Sequence, residues 1–267
     1  MSLFDPTYRL LLRLGLDGMA EALEAQNRVP DIAELSFEDR LAMLLDSEMT
    51  RRTERSYQAR LRQAQLRLRP TLEEVSCKSG RGLSRSVLTH LATGDWIRKG
   101  NGLIIEGKTG VGKTFLACAL AHQACRQLHS VLYRRAGDLL AEIAAARVSN
   151  RLAKLQRRLA RVDLLAIDDF GLASFTAEGR RDLLDVVERR ERGKSTLVAS
   201  QVPSDRWHAI IGEPTIADAI VDRLVNSAWR IQLDGPSMRE REALPALEEV
   251  AVENAGRAEQ ASDGSSR

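Results

Sequence analysis

The chain has 267 residues, of which 43% are hydrophobic and 29% charged, a composition typical of a soluble globular protein. No apolar run reaches the roughly 18 residues that a membrane span needs, and three cysteines are too few for a disulfide framework. We therefore expect a cytoplasmic protein without a membrane partner. The net charge of +3 conceals an uneven distribution, because only six of the 40 basic residues are lysines and the acidic segment 240–267 carries −4.

Residues 1–70 are predicted to form a small all-helical N-terminal domain, because their leucines and methionines recur at helical spacing. Ser36 is the expected N-cap of a long helix, with Asp39 in the position of a capping box. We expect this helix to carry an arginine-rich stretch and to end at Pro70. Residues 71–100 are expected to be a connecting segment that includes one further helix.

Residues 71–239 are predicted to form an α/β domain, because short apolar segments alternate with helical periodicity. The predicted strands are Gly102–Glu106, Val131–Tyr133, Val162–Asp168, Thr196–Ser200 and Arg230–Leu233. The predicted helices are Lys113–Leu128, Ala136–Val148, Thr176–Arg192, Pro203–Ile211 and Thr215–Ala228. Such alternation is typical of a parallel sheet that helices cover on both faces. The acidic residues 240–267 are expected to be a disordered tail.

The segment that carries chemistry is a glycine-rich loop between a predicted strand and a predicted helix. It fits the pattern G-x-x-x-x-G-K-[ST] and consists of Gly107, Lys108, Thr109, Gly110, Val111, Gly112, Lys113 and Thr114. The glycines let backbone N–H groups surround phosphates, and the helix N-terminus adds positive potential. We expect Lys113 to reach the β- and γ-phosphates of ATP, and Thr114 to bind Mg²⁺. A glycine-rich turn without a ligand is the alternative, which the strand–loop–helix order disfavours.

A second motif is an apolar strand that ends in the pair Asp168 and Asp169. Asp168 is expected to hold the Mg²⁺ shell, which is the Walker-B role. Asp169 is placed to orient an attacking water as general base. The alternative is an aspartate pair that caps the following loop. With the phosphate loop upstream, a Mg²⁺-ATP site is the favoured interpretation, and water is the favoured phosphate acceptor.

Two runs of basic side chains are candidates for contact with the phosphates of DNA. The first run is Arg51, Arg52, Arg55, Arg60, Arg62, Arg67 and Arg69, with one acid among them. The second run is Arg147, Arg151, Lys154, Arg157, Arg158 and Arg161, with no acid. Arginines that neutralise phosphates provide affinity without reading the base sequence. The alternative for each run is a solvated helix face.

Several further stretches carry a family resemblance. They are Leu16–Leu23, Glu34–Leu41, Thr114–Leu120, Leu159–Leu165, Ser200–Pro203, Arg206–His208, Thr215–Val225 and Gly235–Arg239. With these stretches the chain resembles the IstB-type helper ATPases of insertion sequences, which are related to the DnaC-type helicase loaders of the AAA+ superfamily. The resemblance extends from about Leu10 to Arg239.

The resemblance implies an AAA+ P-loop core with strand order 5-1-4-3-2 and ATP held between neighbouring subunits. Arg223 matches the arginine finger, which would stabilise charge on the γ-phosphate of a neighbour; a pairing with Asp222 or a helix neighbour is the alternative. Ser200 and Gln201 occupy the sensor 1 position, and either of them could contact the γ-phosphate. Arg239 matches the end of the family pattern and would face the nucleotide.

The resemblance also implies a function. The chain would be an ATP hydrolase that forms a homo-oligomer with ATP on duplex DNA, without strong sequence specificity. It would assist the transposase of the same insertion element. Two alternatives stay open: an adaptor ATPase of the helicase-loader type, and a metabolic P-loop kinase with a small-molecule acceptor.

Overall fold

Five parallel strands form the central sheet of the computed structural model, which describes residues 6–78, 80–191 and 193–238. The strands are β1 (Gly102–Gly107), β2 (Val131–Arg135), β3 (Leu164–Phe170), β4 (Ser195–Ser200) and β5 (Ala228–Leu233). Their order is β2-β3-β4-β1-β5, which confirms the order expected from the resemblance. All neighbouring pairs are parallel, so the carboxyl ends of all five strands lie along one edge of the sheet. The loops that follow the strands meet at this edge.

Eleven α-helices lie within the described part of the chain. They are α1 (Pro6–Arg13), α2 (Asp17–Gln26), α3 (Phe37–Ala64), α4 (Arg85–Ala92), α5 (Asp95–Arg98), α6 (Lys113–Arg126), α7 (Ala136–Val148), α8 (Leu152–Arg161), α9 (Ala177–Arg190), α10 (Trp207–Ile211) and α11 (Pro214–Val225). None of these helices is long and apolar enough to cross a membrane. The predicted tail 240–267 and Arg239 lie outside the described residues.

Two apolar clusters cover the two faces of the sheet, as its near-continuous apolar strands require. On one face, β1 residues such as Leu103 and Ile105 pack in a cluster with α6 and residues of α3, α4 and α5. On the other face, residues such as Ile104 and Leu165 pack with α7, α8, α9, α10 and α11. The predicted α/β architecture is therefore confirmed.

The N-terminal helices dock onto the first of these faces. Ser36 caps α3, since its hydroxyl accepts a hydrogen bond from the N–H of Asp39 at 3.1 Å. The imidazole of His122 on α6 joins α3 to the core: its Nδ1 donates to the Pro70 carbonyl at 2.8 Å, and its Nε2 accepts from the Tyr57 hydroxyl at 2.6 Å. The helical N-terminal region is thus tied to the helix that follows the phosphate loop.

Several element boundaries differ from the prediction, and four differences stand out. Helix α3 ends at Ala64 and not at Pro70, because Gln65 adopts a left-handed conformation with φ 53°. The predicted helix over residues 85–96 is divided into α4 and α5 at Gly94, which has φ 73°. Helix α8 was not predicted as a separate element. Strand β3 starts and ends two residues later than predicted, so both aspartates lie inside it.

Candidate nucleotide-binding site

The glycine-rich loop connects the end of β1 to the start of α6, as its pattern predicts. Gly110 and Gly112 have φ values of 87° and 94°, a region that glycine enters without strain. Because α6 begins at Lys113, its first N–H groups have no partner inside the helix and can bind phosphate oxygens. The loop therefore has the backbone geometry of an anion site.

Lys113 lies over this loop with its side chain almost fully buried. Its ammonium group donates to the carbonyl oxygens of Gly107 and Lys108, each at 2.8 Å. These carbonyls hold the charge at the centre of the loop, where the phosphates of a nucleotide would lie. The position agrees with the role expected for Lys113 in binding the β- and γ-phosphates.

Asp168 is the buried acid of the site, with an exposed fraction of 1%. One oxygen accepts from the N–H of Asp169 at 2.9 Å, and the other accepts from the hydroxyl of Tyr133 at 2.6 Å. No cationic side chain of the described residues forms an ion pair with Asp168. A buried carboxylate normally requires a cation, so this acid suits a metal ion.

Magnesium fits the residues that are present. Asp168 follows Leu164 and Ala166 at the strand period of two, so it lies on the face of the sheet that α6 covers. Thr114 lies in the first turn of α6. A carboxylate and a hydroxyl are hard oxygen donors, which Mg²⁺ prefers over nitrogen and sulfur donors. Thr114 and Asp168 would hold the ion, as the sequence predicts.

Asp169 differs from Asp168 because a bulge separates them. Strand β3 pairs Ile167 with Val198 and Phe170 with Ser200, which leaves one extra residue on β3. Asp169 takes a left-handed conformation with φ 54°, uncommon for a residue other than glycine. The bulge turns the two neighbouring carboxylates into different surroundings.

Arg135, at the end of β2, is a site residue that motif analysis missed. Its Nε donates to Asp169 at 2.9 Å, and this bond raises the pKa of the exposed Arg135 guanidinium. Arg135 is the register partner of Asp168 in the pairing of β2 with β3. This contact could therefore be predicted only from the order of the strands and not from a motif. In this arrangement one carboxylate oxygen of Asp169 accepts a hydrogen bond from a cation.

The structure separates the two sensor candidates. Ser200 is fully buried, where its hydroxyl donates to the Phe170 carbonyl at 2.8 Å and accepts from the Val202 N–H at 3.0 Å. Gln201 instead points to the phosphate loop, where its Oε1 accepts from the Thr109 hydroxyl at 2.6 Å. Of the two candidates, Ser200 is therefore hydrogen-bonded within the core, and Gln201 contacts the phosphate loop.

A clasp formed by residues 80–83 and 234–238 covers the outside of the phosphate loop. Arg81 donates from Nη2 to the Val111 carbonyl at 2.7 Å, and its own carbonyl accepts from the N–H of Asp234 at 3.1 Å. The N–H of Met238 donates to the carbonyl oxygen of Gly110 at 2.9 Å. The clasp lies on the β5 side of β1, opposite Asp168. No motif marks Arg81 in the sequence, and it lies in the predicted connecting segment 71–100, so the sequence does not predict this contact.

Arg223 lies at the amino ends of the strands, opposite the end of the sheet that carries the phosphate loop. Its guanidinium pairs with Glu188 at 3.1 Å and with Glu191 at 3.2 Å. Of the two alternatives, this is the pairing with a helix neighbour and not with Asp222. The adjacent Leu224 carbonyl borders Gly102 at the start of β1. That strand is six residues long, so about 17 Å separates its start from the phosphate loop. Arg223 therefore cannot reach the site of its own chain without a large rearrangement.

Comparison with protein families decides the relationship. A family model described as IstB-like ATP binding protein matches residues 9–246. The chain belongs to this family. The IstB-like chain is 46% identical over 237 residues to a provisionally named insertion sequence ATP-binding protein of Sinorhizobium fredii, across 89% of this chain and 97% of that protein. A similarly named protein of Mycobacterium tuberculosis is 31% identical over 246 residues, across 90% and 97% of the two chains.

Solved structures agree with this family at the level of the fold. The DnaC helicase loader superposes with a TM-score of 0.53 and 17% identity, across 61% of this chain and 96% of that one. DnaI superposes with a TM-score of 0.56 and 20% identity, across 62% and 92%. At these identities the likeness concerns the fold alone, and it agrees with the predicted α/β fold of the IstB-like chain.

The first basic run of the IstB-like protein is partly neutralised within the chain. Three arginines of α3 form ion pairs with acids of α2 or of α3 itself; they are Arg51, Arg52 and Arg55. Their partners are Glu21, Glu48 and Asp17, respectively. Arg60 is hydrogen-bonded to Ser56. The later members of the run are exposed, and no ion pair within the described residues involves them; these are Arg62, Arg67 and Arg69.

The second basic run lies mostly on α8, an amphipathic helix. Leu155 and Leu159 pack it into the apolar cluster on the second face of the sheet, and its charged face points to solvent. Arg147, on α7, forms an ion pair with Asp182. The remaining members are exposed, and the described part of the chain holds no ion pair that includes them; they are Arg151, Lys154, Arg157, Arg158 and Arg161. Their charge is available to an external anion.

Proposed function

We propose that this IstB-like protein is a cytoplasmic ATP hydrolase that forms a homo-oligomer with ATP on duplex DNA and assists the transposase of the same insertion element. The buried Asp168, which has no cationic partner among the described residues, is the observation that carries the hydrolase assignment. A buried carboxylate near the carboxyl ends of the strands suits a cation, and Mg²⁺-ATP supplies one. The names of the relatives support the connection with insertion sequences.

Each site residue has a distinct task in this proposal. The loop from Gly107 to Thr114 binds the phosphates, and Lys113 offsets charge on the β- and γ-phosphates. Bound Mg²⁺, held by Thr114 and Asp168, would neutralise charge on the phosphate oxygens. Asp169 orients water with the carboxylate oxygen that does not accept from Arg135, and Gln201 contacts the γ-phosphate.

Arg223 of one copy would complete the site of the next copy. Its distance from the phosphate loop of its own chain supports a contact between subunits and argues against an internal one. Such an arginine stabilises the negative charge that develops on the transferred phosphoryl group. Hydrolysis would then require assembly. Arg239, outside the described residues, follows Met238, which lies against the loop, and stays a candidate nucleotide contact.

The DNA surface of the proposal is centred on α8. Four exposed basic residues of α8 and Arg151 just before it form no ion pair within the described residues, so they can neutralise phosphates without losing an internal partner. Arg62, Arg67 and Arg69 are the members of the first run that meet the same condition. Arg51, Arg52, Arg55 and Arg147 would have to exchange an internal carboxylate for a DNA phosphate. Contacts of this kind bind the backbone of DNA and do not select a sequence.

Measurement of phosphate release tests the hydrolase assignment. Wild-type protein with ATP, Mg²⁺ and duplex DNA is expected to release phosphate, and Asp168→Asn is expected to lose at least about 100-fold in rate because the metal loses its charged ligand. Asp205→Asn, an exposed acid outside the site, is the matched control and should keep the wild-type rate. Equal rates for Asp168→Asn and the control would overturn the assignment.

An adaptor role of the helicase-loader type is the second candidate, and the fold shared with the DnaC helicase loader favours it. Co-purification of the tagged chain with a transposase and with a replicative helicase, each added in equal amount with ATP, separates the two roles. Retention of the transposase supports the main proposal. Retention of the helicase alone supports the adaptor role.

A further inference from the structure

Tyr133 is the only side chain of the described residues that hydrogen-bonds to Asp168. Its hydroxyl donates to Oδ2 at 2.6 Å, and the tyrosine itself is 4% exposed. No sequence motif includes Tyr133, which lies in the middle of the edge strand β2. The contact therefore arises from the pairing of β2 with β3 and not from the phosphate loop or the aspartate pair.

The sheet register explains how the two side chains meet. Tyr133 is paired with Ala166 on β3, and Asp168 is two residues further along the same strand. Residues two apart on a strand share a face, so Asp168 is the diagonal neighbour of Tyr133. An aromatic side chain is long enough to span that diagonal, which most aliphatic side chains would not.

The two hydrogen bonds on Asp168 leave its carboxyl group little freedom. The N–H of Asp169 holds Oδ1, and the hydroxyl of Tyr133 holds Oδ2, so rotation about the Cβ–Cγ bond would break one or both. A carboxylate has about four acceptor positions, and two stay available for a metal or its waters. Such outer hydrogen bonds orient the groups that bind a metal ion.

We propose that Tyr133 is a positioning residue for the Mg²⁺ site, acting through Asp168. The inference rests on the proposed Mg²⁺-ATP site. Tyr133 does not touch the phosphate loop in any described contact, so its effect is specific to the metal and does not extend to the phosphates.

The surroundings of Tyr133 give it a second connection. It belongs to the same buried cluster as Ala64, at the end of α3, and Cys118, on α6. The backbone of Arg67 and Leu68 lies against Cys118, immediately after the arginine-rich helix. Tyr133 thus shares its buried cluster with Cys118, which adjoins the segment that carries Arg67 and Arg69.

Calorimetric ATP binding to wild-type protein and Tyr133→Phe, in EDTA and in saturating Mg²⁺, tests the proposal without reference to turnover. In EDTA the two proteins should bind ATP equally, because the phosphate loop is intact. In Mg²⁺ the wild type should bind more tightly, and Tyr133→Phe should lose about tenfold of that gain, the lower end of the losses seen when outer partners of metal ligands are removed. Mn²⁺ binding in the presence of ATP, followed by electron paramagnetic resonance, should weaken by the same factor.

Tyr57→Phe is the matched control, because it also removes one hydrogen-bonded tyrosine hydroxyl, but acts at His122. This variant should keep the full Mg²⁺ gain. A Tyr133→Phe protein with a wild-type Mg²⁺ gain would overturn the proposal. An equal loss of ATP affinity in EDTA and in Mg²⁺ would also overturn it, because it would show a purely structural role. If wild-type protein itself gains nothing from Mg²⁺, the underlying Mg²⁺-ATP site fails instead.

Discussion

At the scale of single residues, neighbours in sequence have separate tasks because the backbone turns between them. Asp168 lies under α6 with Tyr133, whereas Asp169 emerges from a bulge and meets Arg135. Ser200 is used inside the core, whereas Gln201 reaches the phosphate loop. The motifs locate both pairs in the sequence, but only the register of the sheet assigns each member its surroundings.

The sensor pair yields a residue-scale prediction. Gln201→Ala should retain ADP affinity and slow hydrolysis by about 100-fold, because it removes a hydrogen-bond donor from the transferred phosphate. Ser200→Ala should instead lower the free energy of unfolding by about 1–3 kcal/mol, since buried partners lose their hydrogen bonds. Phosphate release and chemical denaturation measure the two effects. Slow hydrolysis by a normally stable Ser200→Ala would reverse the assignment.

At the scale of elements, the contact between α2 and α3 depends on a glycine. A Cβ atom at Gly18 would lie 2.7 Å from the Glu48 Cα and 2.8 Å from the Ser47 carbonyl oxygen. The N–H of Gly18 also donates to the buried Glu48 carboxylate at 2.7 Å. This close approach explains why a glycine stands in the second position of α2, where it disfavours a helix.

Gly18→Ala is therefore expected to lower the free energy of unfolding by about 1–3 kcal/mol, the usual cost of overpacking. Gly137→Ala on α7 is the matched control. Its added Cβ would meet Ala173 at an ordinary 3.6 Å, and alanine is the better helix former. Thermal unfolding should show a lower melting temperature for Gly18→Ala and an unchanged or higher one for Gly137→Ala. The reverse order would contradict the described docking of α2.

The two basic runs make a second prediction at this scale. Lys154→Gln with Arg158→Gln on α8 should reduce the slope of log K for duplex DNA against log salt by about 2, or nearly one for each lost phosphate contact. Arg51→Gln with Arg55→Gln removes the same charge, yet it should change the slope less, because both arginines are paired with acids. Equal slopes for the two double variants would show that α8 has no special role.

The sequence predicts much at the scale of elements, for reasons that are local. Apolar periodicity locates the strands and most helices. Ser36 marks the start of α3, because its capping hydrogen bond reaches only three residues along the chain. Helix α8 was missed because only Leu155 and Leu159 of its short span are buried. Arg81, Tyr133 and Arg135 were missed because their partners lie about 30 or more residues away, where only the sheet order brings them together.

At the scale of the whole molecule, the residues expected to act in catalysis lie at opposite ends of the strands of one sheet. Lys113 and Asp168 lie at the carboxyl edge, whereas Arg223 lies at the start of β1 and is held by Glu188 and Glu191. In the proposed function a single copy is therefore incomplete, and a head-to-tail assembly would supply each site with the arginine of its neighbour.

A mixing experiment tests this arrangement. Lys113→Ala should not bind ATP, and Arg223→Ala should bind ATP but hydrolyse it about 10³-fold more slowly. A mixture of the two should recover part of the wild-type phosphate release, because an intact Arg223 from one variant can complete the site of the other. Arg180→Ala in place of Arg223→Ala, a change to a partly buried arginine at the Ile211 carbonyl, is the control for nonspecific effects. Failure to recover activity would argue against a shared site.

The central claim is that ATP binding and duplex DNA binding are coupled in this IstB-like protein. Equilibrium binding of a plain duplex at two salt concentrations, with and without ATP, tests it most directly when wild-type protein is compared with Lys113→Ala. The account predicts that ATP tightens binding by the wild type and not by Lys113→Ala, and that added salt weakens it steeply. Equal duplex affinity with and without ATP in the wild type would contradict the account.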